Sequence, residues 1–119
     1  MAEQHSLGKI GEEEALIYLQ NKGYHILEHN YRFRKFEIDI IAQSGNIVVA
    51  VEVKTRSTDD FGDPQDFVKP AQIKRLVQAF DYYINKNNLD IEARFDVIAI
   101  LINETGTKIH HIEDAFLHF

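Results

Sequence analysis

Two apolar runs dominate the middle of the chain: Phe36-Glu-Ile-Asp-Ile-Ile-Ala42 and Ile47-Val-Val-Ala-Val-Glu-Val53. Each has strand length, and Gly45-Asn46 between them is a two-residue hairpin signal. That turn sets a register in which Ile40 faces Val51 and Ile38 faces Val53. It also places Asp39 opposite Glu52, and Glu37 opposite Lys54. With period-two alternation, Phe36, Ile38, Ile40 and Ala42 are expected on one face, and Glu37, Asp39 and Ile41 on the other. In the second strand Ile47, Val49, Val51 and Val53 share a face, with Val48, Ala50, Glu52 and Lys54 opposite.

The pattern elsewhere supplies the frame. Residues 6–22 carry Gly8, Glu12, Ala15 and Leu19 in one helical stripe, with Ser6 as N-cap and Gly23 as the stop. Glu12 therefore lies in line with small and apolar side chains, while Glu13 and Glu14 are expected to face solvent. Residues 24–33 predict a strand. The polar stretch after the hairpin, with Gly62 and Pro64 as breakers, is a loop. A second helix is expected over 70–86, opened by Pro70 and faced with Ile73, Leu76, Val77, Phe80 and Ile84. Strands over 93–102 and 107–112 complete the order αβββαββ. This predicts a single α/β domain over residues 1–119, with a central mixed β-sheet flanked by helices.

Composition changes the picture only slightly. A chain of 119 residues builds one core. It has no cysteine, which removes disulfides, thiolate metal sites and cysteine nucleophiles. No segment has the apolar length of a signal sequence or membrane span, so a cytoplasmic protein is expected. The net charge of −6 argues against a polyanionic partner, yet Arg32, Arg34, Lys35, Lys54, Arg56, Lys69, Lys74 and Arg75 all fall mid-chain. Charge alone does not choose between a nucleic-acid surface and an ordinary solvated one.

The chemistry concentrates in the hairpin. Opposed carboxylates on a largely buried sheet are costly. A divalent cation would offset that cost, and oxygen ligands suit magnesium or manganese. The other reading is a salt-bridged hairpin, with Glu37 on Lys54 and Asp39 on Arg32 or Arg34. Other features point more weakly to chemistry. His110 and His111 face opposite ways on a strand, which argues against a second metal site with His118. Of Tyr82 and Tyr83, one is expected in the core and one on the surface. Asp59, Asp60 and Asp63 read as a solvated loop, and Asp96 as a hydrogen-bonded structural carboxylate.

A helix bearing Glu, then Asp, then a strand bearing Glu-x-Lys resembles the PD-(D/E)XK nuclease superfamily, in its Holliday-junction-resolvase-like branch. More closely, the chain resembles the YraN-like family of uncharacterised bacterial proteins. The resemblance runs through Gly8-x-x-Gly11-Glu12, Gly23-Tyr24, Asn30-Tyr31-Arg32, Glu37-Ile38-Asp39, Val51-Glu52-Val53-Lys54-Thr55-Arg56, Phe61-Gly62-x-Pro64, Lys74-Arg75-Leu76, Arg94-Phe95-Asp96-Val97 and His111-Ile112-x-x-Ala115-Phe116. One position departs: Phe36 stands where the family usually has glycine. The resemblance implies a restriction-endonuclease-like core and a metal-dependent, structure-selective DNA endonuclease. In that role Asp39, Glu52, the Val53 carbonyl and Glu12 would hold magnesium or manganese, and Lys54 would act on the attacking water and the phosphate. Glu12, Asp39, Glu52 and Lys54 form the expected catalytic set, with Glu37 unassigned beyond holding Lys54 or a water. Arg32, Arg34, Arg56, Lys69, Lys74 and Arg75 would bind the backbone of branched or structured DNA, and a homodimer is implied. The alternative is a nucleic-acid-binding protein of nuclease ancestry with little or no turnover.

Overall fold

The computed structural model describes residues 2–57 and 68–116, with side chains from Leu7 onward. Gly62, Pro64, the Asp59, Asp60 and Asp63 group, His118 and the Ser6 side chain lie outside the described residues. The elements are α1 (Ala2–Asn21), β1 (His25–Phe33), β2 (Phe36–Ser44), β3 (Ile47–Arg56), α2 (Pro70–Lys86), β4 (Glu92–Asn103) and β5 (Gly106–Ile112). The expected order holds, and α2 has the expected bounds. α1 starts four residues before the expected Ser6.

The five strands form one sheet in the order β1-β2-β3-β4-β5. All neighbours are antiparallel except β3 and β4, which are parallel and joined through α2. The helices cover opposite faces. Under α1, Ala15 and Leu19 pack on Ile40, Ala42, Val49, Val51, Ile98 and Ile100. Under α2, Leu76, Ala79, Phe80 and Tyr83 pack on Ile38, Ile41, Val48, Ala50 and Val97. The middle strands are thus buried on both faces, which explains their continuous apolar runs.

Local chemistry ends each helix where the sequence predicts. After α1 the chain turns through Gly23 at φ 96°, a conformation that favours glycine. Tyr24 N–H then closes back onto the Leu19 carbonyl at 2.9 Å. At the start of α2, Pro70 needs no hydrogen bond, and the Gln72 side chain accepts from the Lys69 N–H at 3.2 Å. Of the two tyrosines in α2, Tyr83 is core and Tyr82 is exposed, as expected. No described helix is long and apolar enough to cross a membrane.

Candidate active site

β2 and β3 run as a ladder from Ser44 and Ile47 to Ile40 and Val51, in the expected register, and then part. From there β3 stays with β4 as far as Arg56 and Leu101, while β2 stays with β1 through Ile38–Tyr31 and Glu37–Arg32. The expected pairings of Asp39 with Glu52, Glu37 with Lys54 and Ile38 with Val53 therefore do not form. Alternation breaks at the same place. Ile38 packs under α2 and Ile40 under α1, so the single face expected for Phe36, Ile38, Ile40 and Ala42 is split at Asp39. The parting has a chemical signature: Val53 N–H donates to Asp39 Oδ2 at 2.8 Å. A side chain thus serves a backbone donor that the ladder no longer reaches.

Asp39 and Glu52 are nevertheless brought together at this fork. Burial first, and then repulsion from Glu52, push the Asp39 carboxyl up to about 8; the Glu12 charge adds to the rise, while the Val53 N–H and Lys54 oppose it. Burial also pushes Glu52 upward, and Glu12 adds to this, against the pull of Lys54. Lys54 Nζ lies 3.2 Å from Glu52 Oε2, with both side chains largely buried. Asp39 forms no ion pair among the described residues, so the salt-bridged hairpin is not what is built.

α1 delivers Glu12. A Cβ added to Gly11 would run into Thr55 of β3, lying 2.9 Å from its Cβ and Cγ2 and closer still to Oγ1. The missing side chain lets the helix backbone sit directly on the strand that carries Glu52 and Lys54. Glu12 Oε1 lies 3.1 Å from His29 Nε2 and accepts from Asn30 Nδ2 at 3.2 Å. The same Asn30 amide donates to Glu37 Oε1 at 3.2 Å, and Arg32 Nε lies 3.6 Å from Glu37 Oε2. Glu37 is thus tied to β1 rather than to Lys54. His29 and Asn30 are neighbours of Glu12 to which the sequence reading gave no role, Asn30 entering it only within the stretch Asn30-Tyr31-Arg32. Asn30 sits at φ 56°, a left-handed conformation that asparagine tolerates better than most residues. A polar residue able to adopt that conformation inside a strand was the available signal.

A cleft of about 510 Å³ opens beside these groups, lined by Gly8, Glu12, Val53, Lys54, Thr55 and Arg56 among others. Two buried carboxylates that repel each other are hard oxygen donors of the kind a divalent cation takes. The donor type fits magnesium or manganese. The set is not closed, however: among the described residues, no three His, Asp or Glu side chains are gathered tightly enough to enclose an ion. Glu12, turned toward His29 and Asn30, is the expected ligand that stands apart.

The expected phosphate-binding cations divide. Arg56 lines the cleft, whereas Arg32 is outside its lining and faces Glu37. Arg34 and Arg75 line a different cleft with Phe33 and Phe36. Lys69 and Lys74 are exposed at the start of α2. His111 is not available as a metal ligand. Its Nε2 lies 2.7 Å from Asp96 Oδ2, and its Nδ1 is 3.1 Å from the Tyr18 hydroxyl. Asp96 is fully buried and also accepts two bonds from Arg94 at 2.9 Å and one from the Asp114 N–H at 3.0 Å. Burial would raise its carboxyl, but these hydrogen bonds from His111, Arg94 and Asp114 outweigh it and hold it below the usual carboxylate range. It is the structural carboxylate expected.

The molecule is thus a mixed α/β protein with two buried carboxylates brought together at a strand fork, one of them paired with Lys54. The chain belongs to the family described as Uncharacterised protein family UPF0102, whose model matches residues 11–100. It is 60% identical over 119 residues to a UPF0102 protein of Christiangramia forsetii, covering the whole of both chains. It is 59% identical, again over both whole chains, to UPF0102 protein FP2501 of Flavobacterium psychrophilum. A UPF0102 protein of Parabacteroides distasonis is 44% identical over 98% of this chain and 96% of its own.

Proposed function

We propose that the chain is a metal-dependent nuclease of the PD-(D/E)XK type, hydrolysing phosphodiester bonds in branched or structured DNA. One observation carries this reading. Asp39 and Glu52 are buried together where β2 and β3 part, and Asp39 is held at a cost that its bond to Val53 does not remove. A fold has no structural need for such a pair, whereas a cation site does. The element order and the parallel β3–β4 pair support a restriction-endonuclease-like core.

In this reading Asp39, Glu52 and the Val53 carbonyl would hold magnesium or manganese, with Glu12 completing the set from α1. When bound, the ion would supply charge stabilisation on the phosphate and a more acidic water. Lys54 is held beside Glu52, where its ammonium would orient an attacking water and meet the phosphate oxygens. Arg32 and Arg56 bind flanking phosphates. A homodimer would present two such sites to a branched substrate.

A second reading is favoured by Glu12, which is engaged by His29 and Asn30 rather than gathered with the pair. It is a nucleic-acid-binding protein with little or no turnover. The decisive measurement compares cleavage of branched, single-stranded and duplex DNA in magnesium or manganese by wild type and Lys54→Met. Cleavage by the wild type, lost in Lys54→Met with metal affinity retained, is the expected result. Equal cleavage by both proteins removes the role of Lys54, and no cleavage by either leaves the binding reading.

A further inference from the structure

Between the β1–β2 turn and α2, a cleft of about 440 Å³ is lined by Phe33, Arg34, Lys35, Phe36, Arg75 and Gln78. Its volume is that of a small-ligand site. Three cations converge on an aromatic floor in a protein of net charge −6. None of the three forms an ion pair among the described residues, unlike Arg32, Lys54 and Arg94. The Arg34 guanidinium lies over the Phe33 ring at 5.0 Å. The Tyr82 ring is 4.8 Å from Phe33, and Tyr82 is 44% exposed.

We propose that this cleft binds an unpaired nucleotide, its base stacked on the Phe33–Arg34 pair, with Tyr82 packed against Phe33 beside the cleft, and its phosphate held by Lys35 and Arg75. Bases stack on aromatic rings and on guanidinium planes alike, and cations beside them take the backbone. A base inside a duplex has both faces covered and its edge paired, so only an unpaired one can enter. Phe36 and Asp39 are three residues apart on β2, about 10 Å along the strand. A nucleotide held here, on the α2 side of the sheet, is therefore joined through β2 to the carboxylate fork, whose cleft opens on the α1 side. The substrate class is nucleic acid with a single-stranded segment next to the reacting phosphate. This rests on the nucleic-acid reading of the fork but not on turnover.

The test is fluorescence anisotropy of labelled oligo-dT, oligo-U and a blunt DNA duplex in chelator, where cleavage plays no part. Arg34 lies at φ 59°, so Arg34→Gly keeps the turn while removing the guanidinium. The Arg34→Gly, Tyr82→Ala double variant should lose roughly tenfold or more in affinity for the single strand, the size of one lost stacking partner. Its duplex affinity should fall no further than that of Lys108→Gln, an exposed charge loss on β5. Arg75→Gln, on an exposed helix position, should show the same selective loss and stands in if the double variant is unstable. Binding of either single strand with this selective loss carries the proposal. Failure of wild type to bind both oligomers overturns it, as does equal weakening of single strand and duplex. Selective oligomer binding without any cleavage removes the nuclease reading and leaves this site standing.

Discussion

Asp39 concentrates the argument at the scale of a single residue. In the unfolded chain its carboxyl titrates at the ordinary 3.8; folded, burial and the Glu52 charge raise it to about 8. Folding therefore takes up a proton between these values. Stability is complete below the unfolded value, and is lost progressively as pH rises toward 8. Asp39→Asn keeps the shape and an oxygen for the Val53 N–H, but has no charge to bury. In chelator it should match wild type near pH 3, below the unfolded value, where both side chains are neutral. Near pH 8 it should be more stable, by on the order of 1 kcal/mol or more. Excess magnesium or manganese should raise the unfolding temperature of wild type by binding the native state, and should do little for the variant. Thermal unfolding of both proteins at the two pH values, with and without metal, decides it. A variant that is less stable in chelator and still gains fully from metal would make the pair structural.

Among the elements, α1 is the one whose placement decides whether a site exists. Gly11 carries that placement, because its contact with Thr55 leaves no room for a Cβ. Gly11→Ala should cost about 1–3 kcal/mol in denaturant unfolding, the usual penalty of overpacking. Thr55→Ala in the same chain should recover part of that loss; no recovery would mean the contact is not what limits the helix. The far end of α1 is held by Tyr18, His111, Asp96, Arg94 and Tyr24. Asp96→Leu removes the buried partner of the Arg94 guanidinium and should cost about 3–5 kcal/mol. Because the Asp96 carboxyl titrates below its ordinary value, its contribution is present above that value and disappears as pH falls through the folded one. Wild type should therefore lose stability in acid more steeply than the variant. These elements were legible because they had punctuation: Gly23, Gly45-Asn46 and Pro70 all sit where turns or caps form. The strand fork was not legible. Alternation and turn geometry are local rules, and what ends the β2–β3 ladder is that β1 and β4 pull the two strands apart. For the same reason Glu37 was given the wrong neighbour, since its partners Asn30 and Arg32 lie on β1.

Taken whole, the molecule is acidic, and its cations matter by where they sit. Counting them along the sequence found the mid-chain excess but could not divide it, because β1, β3 and α2 meet only in the fold. The division separates Arg56, in the cleft beside Glu12 and Lys54, and Arg32, paired with Glu37 of β2, from Arg34 and Arg75 at the second cleft. These sets should answer differently to salt. Each phosphate contact made by a side chain releases condensed counterions, so affinity for duplex DNA falls with salt at a slope of about 0.9 per contact. Arg32→Gln with Arg56→Gln should therefore flatten the slope for blunt duplex by roughly 1 to 2, and weaken binding alike across sequences, since phosphates carry no base identity. Arg32 already faces Glu37, so the lower figure is expected where that ion pair persists in the complex. Lys69→Gln with Lys74→Gln, an equal loss of charge at the exposed start of α2, is the control. If both double variants flatten the slope equally, duplex DNA responds to overall charge rather than to the fork. If only the Arg32, Arg56 variant does so, the phosphate track runs past Asp39 and Glu52, where a nuclease needs it.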